Sequence, residues 1–230
     1  MPPTTYLNDH TGPAGWSRDH EQETEWRALL RRAEVLWDFA PTSDATPFEL
    51  SPNLTWVQTS SAGVGQLVHR LGVAESDVIV TTASGVHAEA LTEFVFGVLL
   101  YHEKRFGELH RMQEERTWRR FCGGELTGKT IAIIGPGRIG RHIARIAKAF
   151  GLRVHVMPRT FDRARMRELN ADEVYSRDQL HELLTTADFV VLSTPHTPDT
   201  VDLIGAAEIA AMKPGVVLVN IARGVVIDED

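Results

Sequence analysis

Cysteine is almost missing from this chain: a single residue, Cys122, excludes an internal disulfide. No second cysteine or histidine stands at a metal-ligand spacing, so no metal is expected, and Cys122 itself reads as a loop thiol without a role. Long apolar runs are missing as well. Nothing near the N-terminus has the form of a signal peptide or a membrane span, and the expected location is the cytoplasm. Positive charge is in deficit, with 24 Lys and Arg against 31 Asp and Glu, a net charge of -7 and a pI near 5.8. That balance argues against nucleic acid or an anionic membrane as partner and leaves small molecules as the expected ligands. There is no internal repeat and no low-complexity tract. What remains is 230 residues, 43% hydrophobic and 24% charged, enough for one large or two small soluble domains.

Residues 1 to about 20 carry Pro, Gly, Asn and Asp without a sustained period and are expected to be irregular. From Glu21, the apolar residues Trp26, Leu29 and Leu30 recur at helical spacing, and Val35-Leu36-Trp37 then form a strand-like run closed by Ala40-Pro41. Leu54, Trp56 and Val57 predict a second strand, and Val78 to Thr81 a third after a helix over Gln66 to Leu71. Such alternation implies a parallel sheet with crossover helices, because parallel strands can be joined only by long returns. His87 to about Leu109 reads as one largely buried helix, too short to span a bilayer. The domain boundary is placed near its start, giving residues 1–86 and 87–230. A more regular alternation follows. Strands are predicted at Thr130–Ile134, Arg153–Met157, Ala171–Tyr175, Phe189–Leu192 and Val216–Asn220, with helices at Ile139–Phe150, Arg177–Thr185 and Ala206–Met212.

The segment TIAIIGPGRIGRHIARIAKAFG sets Gly135, Gly137 and Gly140 directly between a buried strand and the opening of a helix. Gly135 permits the tight turn, Gly137 removes a side chain that would block a pyrophosphate, and Gly140 lets the helix lie close to the sheet. The helix start then offers unpaired N–H groups, those of Arg138 and Ile139 among them, and a positive dipole end to phosphate oxygens. Three glycines at this spacing arise easily by chance, so the weight rests on their place between strand and helix. The alternative is a merely structural glycine turn. An NAD site usually has Asp or Glu at the tip of the next strand, about 20 residues past the glycines. Here that strand ends Pro158-Arg159-Thr160 with no carboxylate. A guanidinium at that point pairs with a 2′-phosphate and Thr160 adds a hydrogen bond, so NADP(H) is expected over NAD(H). The bland reading of Arg159 is a solvated surface cation.

Further segments carry a specific resemblance. DFVVLSTPHTPDTVDLIG at 188–205 and MKPGVVLVNIARGVVIDED at 212–230 look like the signature of the D-isomer-specific 2-hydroxyacid dehydrogenases. TTASGVHAEALTEFVFGVLL at 81–100 resembles the helix joining that family's two domains, and TSSAGVGQL its substrate loop. With ELTGKTIAIIGPGRIG added, the likeness covers most of Leu54 to Asp230, and Pro158-Arg159 without the acid is similar to the glyoxylate and hydroxypyruvate reductase branch.

The resemblance implies an α/β fold: a Rossmann-type doubly wound parallel sheet beside a smaller, incomplete flavodoxin-like substrate domain. It implies reduction of a small 2-keto acid to the D-2-hydroxy acid. Arg223 would then be the catalytic arginine, holding the substrate carboxylate and polarising the keto oxygen with its planar fork of donors. Ala62 and Gly63 would bind the carboxylate through backbone N–H groups, and Thr194, Pro195, Thr200, Ile221 and Ala222 would border the nicotinamide end. The reaction also needs a proton donor, normally a histidine held by a carboxylate. In the family that pair lies well downstream of the arginine, whereas here only Gly-Val-Val-Ile-Asp-Glu-Asp follows Arg223. The expectation is therefore a chain incomplete at its C-terminus and reduced at its N-terminus, with activity uncertain. Of the ten histidines, His196 alone falls near the chemistry, at a point that more often shapes the pocket. A catalytically inactive dinucleotide-binding module, a degenerate paralogue or a corepressor-like scaffold, is the alternative. The family's homodimer would use the apolar helix Ala90 to Tyr101 and Trp118, residues that could equally be intramolecular core.

Overall fold

The computed structural model describes residues 17–40, 46–160 and 167–230. The chain divides into two compact units, Met1–Ala83 and Ser84–Asp230. Residues 1–16 and Pro41, on which the expectations of an irregular leader and a closing proline fall, lie outside the described residues.

In the first unit, helix α1 (His20–Arg32) starts at Asp19, whose carboxylate accepts the Gln22 N–H at 2.8 Å while the Gln22 side chain accepts the Asp19 N–H at 3.2 Å. That reciprocal box satisfies two donors which the helix itself leaves open. Strands β1 (Val35–Trp37), β2 (Trp56–Thr59) and β3 (Ile79–Thr82) form a parallel sheet in that order. Helix α2 (Pro47–Leu50) was not anticipated, because one turn is too short to show a period; its signal is local, a Thr46–Glu49 capping box with Pro at the first helical position. Helix α3 (Gly65–Arg70) leads toward β3. At the sheet's C-terminal edge Asp38, with φ +59°, accepts both the N–H and the hydroxyl of Ser60 (2.7 and 2.6 Å), tying the end of β1 to the turn after β2.

The second unit carries strands β4 (Thr130–Ile134), β5 (Arg153–Met157), β6 (Glu173–Val174), β7 (Phe189–Leu192) and β8 (Val217–Asn220), all parallel, in the order β6-β5-β4-β7-β8. The chain runs outward from β4 through β5 to β6, then returns to the other side for β7 and β8. This is the doubly wound Rossmann arrangement, and β4 lies at its centre. All five residues of β4 are buried, which is why its sequence after Thr130 is continuously apolar rather than alternating. Its alternate side chains feed two core layers. Ile131 and Ile133 join Val95, Phe96 and Leu99 of α4 (Ala88–Glu103) and Ile143, Ala144 and Ala147 of α6 (Arg138–Ala149). Ala132 and Ile134 join Leu183 and Leu184 of α7 (Leu180–Thr186) and Met212, which follows α8 (Ala206–Ala211). The far end of the sheet is fastened by Asp188, whose carboxylate accepts the Thr130 N–H (2.8 Å) and the Lys213 ammonium (2.9 Å).

Two expectations need correction. The single helix over 87–109 is two, α4 and α5 (Phe106–Glu114), broken where Arg105 adopts φ +54°. The break is held on both sides. Lys104 donates to the Gly124 carbonyl (2.8 Å), buried Glu103 pairs with Lys129, and the Tyr101 and Phe106 rings meet edge to face. Nor is α4 largely buried: Phe94 and Tyr101 are 57% and 54% exposed, because only the stripe through Val95 and Leu99 faces the sheet. The strand expected over 171–175 shrinks to the two residues of β6 at the sheet edge. Among the described residues no helix is long and apolar enough to cross a membrane.

Candidate functional site

The site forms where the strand order reverses, at the C-terminal ends of β4, β5 and β7, the position at which open α/β sheets leave a crevice. Backbone bonds gather the three ends: Gly135 N–H donates to the Met157 carbonyl (3.0 Å) and Ser193 N–H to the Ile134 carbonyl (2.8 Å). Each glycine has a separate reason to lack a side chain. Gly135 turns at φ +88°, and a Cβ there would lie 2.8 Å from the Ser193 carbonyl oxygen. A Cβ on Gly140 would lie 2.8 Å from the Gly135 oxygen and 3.1 Å from Ile133 Cγ2, so the helix sits against the sheet at a distance only glycine allows. Around Gly137 nothing lies within 4 Å, which leaves open space before the helix start.

Helix α6 has no side-chain cap, and its first backbone bond at this end is donated by Arg141 to the Gly137 carbonyl at 2.9 Å. The N–H groups of Arg138, Ile139 and Gly140 precede that bond and have no carbonyl four residues back to use. With the helix dipole behind them, these groups form a seat for phosphate oxygens.

Two adjoining cavities surround the seat. One, of about 290 Å³, is lined by the glycine turn, Arg141, Pro158, Arg159, Thr160 and Pro195 among others. The other, of about 300 Å³, includes Arg159, Arg177, Thr194, Pro195, Asp199 and Thr200 in its wall. Gly135, Pro158, Arg159 and Pro195 belong to both, so the tip of β5 divides the crevice. Thr194 Oγ1 is buried with no hydrogen-bond partner among the described residues, an orphaned group that a ligand in this crevice could satisfy. The residues present therefore fit a dinucleotide: glycine turn, uncapped helix, orphan hydroxyl, and arginines in the crevice wall.

Of the residues singled out from the sequence, Gly135, Gly137, Pro158, Arg159, Thr160, Thr194, Pro195 and Thr200 meet around these cavities. Thr200 contributes wall rather than donor, since its hydroxyl donates to the Pro195 carbonyl (2.7 Å) and accepts the Thr197 N–H (2.9 Å). Arg138 turns its guanidinium to the Ser84 carbonyl (2.8 Å). Ile221, Ala222 and Arg223 follow β8, outside both walls. Ile221 N–H donates to the Leu192 carbonyl (3.1 Å), Ala222 N–H to Asn220 Oδ1 (2.9 Å), and the exposed Arg223 from Nη1 to the Ala222 carbonyl (2.7 Å). No histidine lines either cavity among the described residues, and His196 is half-buried in the segment after β7. Ala62 and Gly63 are exposed in the turn after β2 of the first unit, where Gly63 N–H donates to Ser61 Oγ (3.3 Å). Sequence reasoning missed Arg141 and Arg177. Arg141 directly follows Gly140 in the motif and could have been read from that register; Arg177 had no signal beyond its place before a helix.

Residues 96–230 match the model of the NAD binding domain of D-isomer specific 2-hydroxyacid dehydrogenases. The chain belongs to that family. A glyoxylate reductase of Thermococcus gammatolerans is 36% identical over 97% of this chain, which spans 69% of that protein's length. Among solved structures, a D-isomer specific 2-hydroxyacid dehydrogenase from Xanthobacter autotrophicus in complex with NADPH and MES superposes with a TM-score of 0.72 at 26% identity, over 85% of this chain and 60% of that one. A D-lactate dehydrogenase of Aquifex aeolicus complexed with NAD and lactic acid gives the same score and identity, over 88% and 60%. Solved structures of the family thus include one with NADPH and one with NAD.

Proposed function

We propose that this chain binds NADPH in preference to NADH and belongs to an enzyme that reduces a small 2-keto acid of the glyoxylate or hydroxypyruvate kind to its D-2-hydroxy acid. The observation that carries the reading is the tip of β5: Arg159 and Thr160 border the crevice where an NAD site would hold a carboxylate. A guanidinium offers paired, charge-assisted donors to a phosphate dianion, whereas the hydroxyl donors of a diol are best met by a carboxylate.

When bound, the dihydronicotinamide supplies hydride to the keto carbon. The alkoxide left by that transfer takes up a proton from water or a general acid, a role given to none of the residues that follow, which bind and orient the reactants. The seat at Arg138, Ile139 and Gly140 holds the diphosphate, and the walls at Thr194, Pro195 and Thr200 with the main chain of Ile221 and Ala222 confine the nicotinamide end. Arg223 binds the substrate carboxylate and draws electron density from the keto oxygen, and in the first unit the N–H groups of Ala62 and Gly63 serve as carboxylate donors. We further infer a cytoplasmic protein that pairs through the face carrying Phe94, Tyr101 and Trp118, all exposed.

Calorimetric titration with NADPH and NADH, followed by turnover measurements on glyoxylate, hydroxypyruvate and phenylpyruvate, tests the reading. NADPH is expected to bind at least tenfold tighter, about 1.4 kcal/mol, and equal affinities overturn the preference. A second reading, a dinucleotide-binding module without catalysis, draws on the lack of a histidine in either cavity wall among the described residues. Tight NADPH binding with no oxidation of the cofactor by any keto acid favours it, and sustained turnover excludes it.

A further inference from the structure

We propose that Arg141 is a second specificity-determining residue of the cofactor site, joining Arg159 and Thr160 around the adenosine 2′-phosphate. This rests on the NADPH reading and extends it to a residue on a different element.

The cavity that Arg141 lines holds two guanidiniums, and among the described residues its wall contains no carboxylate. The neighbouring cavity differs, because its wall adds the carboxylate residue Asp199 to Arg159 and Arg177. A wall of mixed sign suits the neutral, polar adenine; a wall of cations alone suits a dianion. The two arginines of the cationic cavity come from separate elements, Arg159 from the loop after β5 and Arg141 from the first turn of α6. They can therefore address one phosphate from two directions.

The depth of Arg141 follows from Gly140. Since the absent side chain at 140 lets α6 lie against the Gly135 carbonyl, the next residue starts close to the floor of the crevice. Arg141 is half-buried, and its Nε is shielded from solvent with no acceptor among the described residues. Burying a guanidinium N–H without an acceptor is unfavourable unless something else supplies one. The neighbouring arginines of α6 are engaged elsewhere, Arg138 with the Ser84 carbonyl and Arg145 with His142 (3.0 Å). A phosphate dianion at the Arg159 side supplies the missing acceptor, in the paired geometry that guanidinium and phosphate share.

The test compares binding of adenosine 2′,5′-bisphosphate with that of AMP, which lacks only the 2′-phosphate, in the wild type and in Arg141→Gln. The wild type is expected to prefer the bisphosphate, and Arg141→Gln to cut its affinity tenfold or more while AMP binding stays within twofold. If the wild type binds both equally, the NADPH reading itself falls. If the wild type discriminates and Arg141→Gln keeps the same ratio, that reading stands and the assignment of Arg141 is overturned. Equal weakening of both nucleotides also overturns it, since Arg141 would then serve the shared 5′-phosphate. Should Arg141→Gln fail to fold, Arg141→Lys decides: an ammonium keeps the charge and loses the paired donors, and an unchanged ratio refutes the proposal.

Discussion

Replacing Gly137 by Ala separates the fold from the seat it builds. The backbone at 137 (φ -72°) is open to any L residue, and nothing lies within 4 Å of the added methyl. Lost freedom of the unfolded chain favours the variant by roughly 0.4–1 kcal/mol, and Ala is a poorer first cap than Gly by a similar amount, so the unliganded midpoint should move by about 2 °C at most. Binding is another matter. The methyl occupies the space through which phosphate oxygens approach the first-turn N–H groups, and hydrogen bonds to a charged partner contribute about 1.5–3 kcal/mol each. Losing one or two costs about 3 kcal/mol, close to a hundredfold in NADPH affinity. The control is Gly140→Ala, whose methyl would meet the Gly135 oxygen at 2.8 Å. That variant is expected to lose roughly 1–3 kcal/mol of stability and several degrees of midpoint before any ligand is added. Thermal denaturation read by fluorescence, with and without NADPH, measures both. The reasoning fails if Gly137→Ala retains NADPH affinity within threefold, or if Gly140→Ala melts with the wild type.

Stability should decline with acid in two stages. Burial holds the His155 imidazole neutral below its ordinary range, so below a pH of about 6.5 the unfolded chain takes up a proton the folded one refuses, and stability falls. For Asp188 and Asp172 burial acts upward. It is outweighed at Asp188 by the Thr130 N–H and Lys213, and at Asp172 by Lys148 and the Val154 N–H, leaving both carboxyls below their usual value. Their contribution is complete above a pH of about 4 and lost as the pH drops through their folded values, so urea midpoints should steepen downward there; midpoints flat from pH 7 to 3 contradict this. Ile133→Ala removes a fully buried side chain from the central strand and should cost about 2–5 kcal/mol in urea denaturation. Arg223→Gln should leave NADPH affinity within twofold while lowering kcat/KM for glyoxylate by a hundredfold or more, measured by cofactor oxidation in protein that turns over.

The second unit was legible from sequence where burial leaves no choice. Strands β4, β5 and β7 come out with their expected ends: β7 is a continuous apolar run, β4 is one after Thr130, and β5 alternates Val154, Val156 and Met157 with Arg153 and His155 between clear breaks. The glycine turn was legible for a related reason: three glycines stand in one register between strand and helix, and at two of them, Gly135 and Gly140, the backbone leaves no room for a Cβ. The break at Arg105 was not, since it depends on Lys104 reaching Gly124 and Glu103 reaching Lys129, partners 20 and 26 residues away. Nor was the two-residue length of β6, because sequence shows β-propensity but not which strand ends the sheet. Arg141 and Arg177 went unseen for a similar reason. A helix position reveals its period, not the cavity its side chain borders.

The brevity of β6 has a consequence for the molecule in crowded solution. An open sheet edge is a template on which a stray strand can zip, and long flat edges invite fibres. Here the outermost strand pairs with β5 only through Glu173 and Val174, and Asp172 stands immediately before them with its charge. So short a rail, fronted by acid, gives an incoming strand almost no backbone to grasp, and that flank of the sheet is protected from polymerisation.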